Sequence, residues 1–99
     1  MKIYILELAK NDLKEIHEYL SCFGEGPAKK LRRSFENFCD NVQKMPIMFN
    51  EYKYNSKYRC ATIEFGYLVF YQLDEKNDTI KIYRVLHGKR NTEHIIESE

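Results

Sequence analysis

Two runs of sequence decide the fold: Tyr67-Leu68-Val69-Phe70-Tyr71-Gln72-Leu73 and, across the polar break 74–78, Thr79-Ile80-Lys81-Ile82-Tyr83-Arg84-Val85-Leu86. The first run is apolar almost throughout, which is how a central strand reads when both its faces are covered. The second returns after a loop carrying Asn77-Asp78, both turn formers, so the two runs predict neighbouring antiparallel strands. Upstream, residues 58–64 supply another strand, joined to the first run by Phe65-Gly66, whose glycine suits a turn. Strands in such close order predict an antiparallel meander. His87-Gly88 stops it, and residues 90–97 can form a short terminal helix with Ile95 and Ile96 as its apolar contacts.

Before the meander the period changes from two to about 3.6. Over residues 9–22, Leu13, Ile16 and Leu20 recur at helical spacing, Lys14, Glu15 and Glu18 take the opposite side, and Asn11 offers a cap. Gly24, Gly26 and Pro27 interrupt the pattern, with the proline at a first helical position where its missing N–H costs little. In the second helix Ala28, Leu31, Phe35, Phe38, Val42 and Met45 step by three and four without a miss, and Pro46 ends it. A short Gly- and Pro-bearing link between two such helices predicts an antiparallel hairpin whose stripes face a sheet. Residues 47–57 show no clean period and read as an irregular connection carrying Phe49, Tyr52 and Tyr54. At the N-terminus, residues 2–8 alternate loosely and read as one more strand. The whole is a two-layer α+β order, β-α-α-β-β-β with a short C-terminal helix, in which the hairpin covers one sheet face.

Composition agrees with a single domain spanning residues 1–99. A chain of 99 residues with 43% hydrophobic and 31% charged residues has the balance of a globular protein, and its eight Tyr and six Phe must carry much of a small core. Sixteen Lys and Arg against fifteen Asp and Glu leave a net charge of +1, so nothing pulls the whole molecule toward nucleic acid or a membrane. The longest apolar run, residues 67–71, is far short of the roughly 20 residues a membrane helix needs, and no cleavage-site pattern follows the N-terminal strand. Cys22, Cys39 and Cys60 are odd in number and never form a Cys-x-x-Cys pair, which argues against a disulfide framework or a zinc site and for three small buried residues. The expected setting is the cytoplasm, without metal or cofactor.

On the central strand Tyr67, Val69, Tyr71 and Leu73 share one parity while Leu68 and Phe70 share the other, so both sheet faces are apolar. One short helix is not expected to cover the second face, and an exposed apolar strip of that kind marks a partner surface or a homodimer contact. Beside it, residues 81–90 hold Arg84, His87, Lys89 and Arg90 without an acid among them. Such a cluster can grip phosphates or a carboxylate surface, or else pair with Glu93, Glu97 and other surface acids. Lys29, Lys30, Arg32 and Arg33 read as a solvated helix face, and neither His17 nor His94 has a catalytic partner at readable spacing. No Gly-rich phosphate loop, His-Glu-x-x-His or Gly-x-Ser-x-Gly occurs.

Asp12-Leu13-x-Glu15-Ile16, the run from Ala28 to Phe35, Tyr67-Leu68-Val69-Phe70-Tyr71 and, above all, Arg84-Val85-Leu86-His87-Gly88-Lys89-Arg90 resemble the RelE/ParE superfamily of bacterial toxins over almost the whole chain, and the closing motif looks like the ParE branch, which includes plasmid stabilisation proteins. The resemblance implies the fold order given above, a cytoplasmic toxin of a type II toxin–antitoxin system, and a cognate antitoxin that wraps it with a helix and an extended tail. On this reading Tyr67, Val69, Tyr71, Ile95 and Ile96 bind the antitoxin.

ParE-like members poison DNA gyrase; RelE-like members cut messenger RNA in the ribosome with basic side chains and often a late tyrosine or histidine. RNA cleavage needs a base or acid at the 2′-hydroxyl and cations on the phosphate. Where RelE-like chains alternate basic residues, this one has Arg59 followed on the same face by Ala61, then Leu68 on the next strand, and no tyrosine after Arg90. The comparison favours a gyrase inhibitor that is not an enzyme, in which Arg84, Lys89 and Arg90 contact the target and His87 shapes the turn. Asn91 departs from the acid that many ParE-like chains carry there. The alternative is a ribosome-dependent mRNA endoribonuclease using Arg59, Arg84, His87 and Arg90.

Overall fold

The computed structural model describes residues 1–97. Along the chain run β1 (Lys2–Ile5), α1 (Glu7–Ser21), α2 (Glu25–Lys44), β2 (Glu51–Tyr52), β3 (Asn55–Thr62), β4 (Tyr67–Asp74), β5 (Thr79–His87) and α3 (Thr92–Glu97), with a single 3-10 turn at Glu64–Gly66. The strands order as β1-β5-β4-β3-β2. The meander β3-β4-β5 is antiparallel, whereas β1 lies parallel to β5, with Ile3 opposite Ile80 and Ile5 opposite Ile82, so the sheet is mixed. A parallel pairing needs a long connection, which the helices and the rest of the meander supply here. The irregular 47–57 link contains β2, which pairs with β3 through Glu51 and Arg59.

The helical stripe of α2 is buried as its spacing predicts: Ala28, Leu31, Phe35, Phe38 and Val42 all face the sheet. Met45 does not join them; it is the exposed residue that caps the helix ahead of Pro46. Helix α1 starts at Glu7, earlier than predicted, after Leu6 and without a side-chain cap, and Asn11 is exposed within it. Its buried stripe is Ala9, Asp12, Ile16 and Leu20, an acid among apolar residues. Opposite these helices the sheet presents Ala61, Val69, Tyr71, Ile80, Ile82 and Val85. Burying a Val or Ile completely, as at Val69 and Ile80, stabilises by about 1.5–3 kcal/mol per side chain.

Tyr67, Val69 and Tyr71 therefore do not form an open strip. They lie on the helix side, buried, because the hairpin occupies that face. The second face is also more closed than one short helix was expected to make it. Helix α3 brings Ile96 onto Tyr58, Phe70 and Leu86, all buried, with Ile95 packed at the margin. Tyr52 holds the start of α3 in place: its hydroxyl shares a 2.7 Å hydrogen bond with Thr92 Oγ1, and its ring meets Phe70 edge to face at 4.9 Å. Asn91 caps the helix by accepting the His94 N–H at 3.2 Å. Ile95 and Ile96 thus seal the domain's own sheet, and Leu68 and Cys60 are left half-buried beside them.

A bulge sets the register of β5. Pairing steps from Tyr71–Ile82 to Phe70–Arg84 and leaves Tyr83 as an extra residue. Strict alternation would place Ile82, Arg84 and Leu86 together; with the bulge, Ile80, Ile82 and Val85 face the helices and Leu86 faces α3. Cys39 and Cys60 are half-buried, but Cys22 is exposed at the end of α1, contrary to the expectation of a buried residue.

Candidate functional site: a basic turn and its buried ion pair

The turn after β5 is built by close backbone approach. Gly88 N–H donates to the Gly66 carbonyl at 2.9 Å, tying the β5 exit to the turn before β4, and a Cβ on Gly88 would come within 3.1 Å of that oxygen. Arg90 N–H donates to the His87 carbonyl at 3.0 Å. The Lys89 N–H donates to His87 Nδ1 at 3.1 Å, which leaves the proton of the neutral ring on Nε2, and the ring stands edge-on against Tyr67 at 5.0 Å. His87 thus shapes the turn and presents a donor. Lys89 and Arg90 are exposed, and neither makes an ion pair among the described residues.

Arg84 is not part of that exposed group. Its side chain reaches α1, where Nε donates to Asp12 Oδ2 at 2.7 Å and a terminal nitrogen donates to Oδ1 at 3.0 Å. The same carboxylate accepts the Val85 N–H at 3.0 Å. A fork-to-fork pair of this kind fixes direction as well as distance. Arg84 therefore fastens the last strand to the first helix, and its side chain is only 12% exposed, apart from the open turn.

Arg59 is committed too. Its Nη1 donates to the Phe49 carbonyl at 2.7 Å, while Tyr71 donates its hydroxyl to the Pro46 carbonyl at 3.0 Å, so both pin the link between α2 and β2. Burial raises the Tyr71 hydroxyl above its ordinary value and keeps it a neutral donor. Of the four side chains read as a nuclease set, His87 and Arg90 share a cavity of about 170 Å³, whose other walls include Asp12, Glu15 and Tyr19. Ala61 is buried under the hairpin and Leu68 lies half-buried on the opposite face, so neither adds a cation. The thiols of Cys39 and Cys60 are pushed up to about 11, by burial first, and stay protonated near neutral pH.

Asp12 is the residue that sequence reasoning missed. Its signal was present: Ala9, Asp12, Ile16 and Leu20 keep helical spacing, and an acid on that stripe needs a buried partner.

Solved structures share this architecture. The fold is similar to the toxin in the intact RelBE toxin–antitoxin complex of E. coli (TM-score 0.66, 15% identity, 90% of this chain and 98% of that one) and to the isolated E. coli RelE toxin (0.66, 14%, 99% and 98%). It is also similar to the chromosomal ParDE system of P. aeruginosa (0.62, 14%, 88% and 95%). No curated protein sequence matches. The family model for the ParE toxin of the type II toxin–antitoxin system parDE matches residues 3–92, and the chain belongs to that family.

Proposed function

We propose that this toxin acts by binding, with DNA gyrase as its target, and that His87, Lys89 and Arg90 are its contact residues. The observation that carries the reading is the commitment of Arg84 to Asp12 and of Arg59 to the Phe49 carbonyl. Cleavage of RNA would need cations gathered around one phosphate as charge develops on it. With those two arginines engaged in holding the fold, the basic turn offers an exposed grip but no complete catalytic set. A cognate antitoxin neutralises the toxin by covering the basic turn and the strip at Leu68 and Cys60 beside α3. Its binding to the native state adds stability by mass action.

Mapping of messenger 5′ ends after induced expression tests the reading. Growth should stop with ribosome-bound messenger uncut; codon-specific cuts that disappear in Arg90→Ala would replace this reading with the ribosome-dependent endoribonuclease.

A further inference from the structure

Beside the basic turn, on the α1 side, a cleft of about 490 Å³ is walled by Tyr19, Phe23, Phe65 and Tyr67, with His87 and Lys89 at its rim. Three of these rings are unusually open for aromatic residues: Tyr19 is 59% exposed, Phe23 65% and Phe65 41%. Clustered exposed aromatics beside cations are the composition of protein contact centres. Phe65 carries a second signal. Its backbone lies at φ 60, ψ 21, a left-handed conformation that a bulky side chain rarely adopts and glycine takes freely. The turn alone does not require a ring there, and the ring is not part of either buried cluster.

Charge narrows the occupant. No acid lines this cleft. The adjoining cavity, which shares Tyr19, Tyr67 and His87, adds Arg90 together with Glu15 and Asp12, and Asp12 is already paired with Arg84. The rings are also set edge to face, Tyr19 on Phe23 at 5.4 Å and 73°, Tyr67 on His87 at 5.0 Å and 89°, which gives no parallel pair for a nucleobase to slide between. We infer that the cleft docks an acidic polypeptide segment, whose apolar side chain enters among Tyr19, Phe23 and Phe65 while its carboxylates meet Lys89 and Arg90. This deepens the proposed function, since it rests on those two cations being contact residues, and it gives the partner's surface a chemistry.

The test is fluorescence anisotropy on the full chain with three labelled probes: the peptide Glu-Asp-Leu-Phe-Asp-Leu-Glu, its counterpart with lysine at every acidic position, and a short oligothymidylate. The acidic peptide should bind saturably and in preference to the other two. Phe23→Ser and Phe65→Gly should each weaken it by about fivefold or more, the loss expected for truncating a central anchor. Lys89→Ala with Arg90→Ala should weaken it and flatten its salt dependence. Phe65→Gly suits the strained backbone, so an unchanged thermal midpoint separates lost contact from lost fold. No binding of the acidic peptide, equal binding of the lysine peptide, preference for the oligonucleotide, or indifference to Phe65→Gly would overturn the inference. Supercoiling by gyrase is read separately with the same proteins. Peptide binding without gyrase inhibition keeps the cleft and removes the gyrase target, whereas gyrase inhibition without peptide binding does the reverse.

Discussion

Asp12 gives both its oxygens to the last strand, one shared between Arg84 Nε and the Val85 amide and the other taken by the second guanidinium nitrogen. Removing one member of such a pair breaks both guanidinium bonds to the carboxylate and takes the acceptor from a backbone N–H in a place water reaches poorly, which costs about 3–5 kcal/mol. Asp12→Ala should therefore lose about that much in urea denaturation. Asp12→Asn, which keeps the shape and one acceptor, should lose less. Equal, small losses for both would show that the pair does not fasten α1 to β5. At this scale the sequence was only half legible. The basic cluster was visible as a run of charge, but a run of charge does not say which member turns inward. That depends on where the fold sets the partner acid, Asp12, which lies 72 residues away in the chain.

The elements themselves were easier to read, because long apolar periods are set by burial against a neighbouring layer. Helix α2 and strands β4 and β5 lie close to their expected bounds. The parallel seat of β1 and the reach of α3 were not readable in the same way, since a loosely alternating strand carries no sign of its partner's direction and a short helix gains its order from what it touches. Tyr52 is the contact that matters for α3. Tyr52→Phe keeps the ring on Phe70 and removes the hydroxyl shared with Thr92, a loss of about 1 kcal/mol. Amide exchange across α3 should then quicken about fivefold while β4 stays protected, a local opening rather than a global one. Unchanged exchange in α3 would mean that Ile96 alone holds the helix down.

For the molecule as a whole, the hairpin buries Tyr67, Val69 and Tyr71 and leaves open aromatic and basic side chains at the end of the sheet. There the basic turn, the aromatic cleft and the tip of the hairpin meet. This leaves Lys89 and Arg90 as the cations exposed at the turn, the pair on which the proposed binding function rests. The direct measurement is DNA supercoiling by purified gyrase in the presence of the purified toxin. The account predicts dose-dependent inhibition that falls when Lys89 and Arg90 are both replaced by alanine and that persists in Arg59→Ala. Full supercoiling at saturating toxin, alongside cleavage of ribosome-bound messenger by the same preparation, would contradict it.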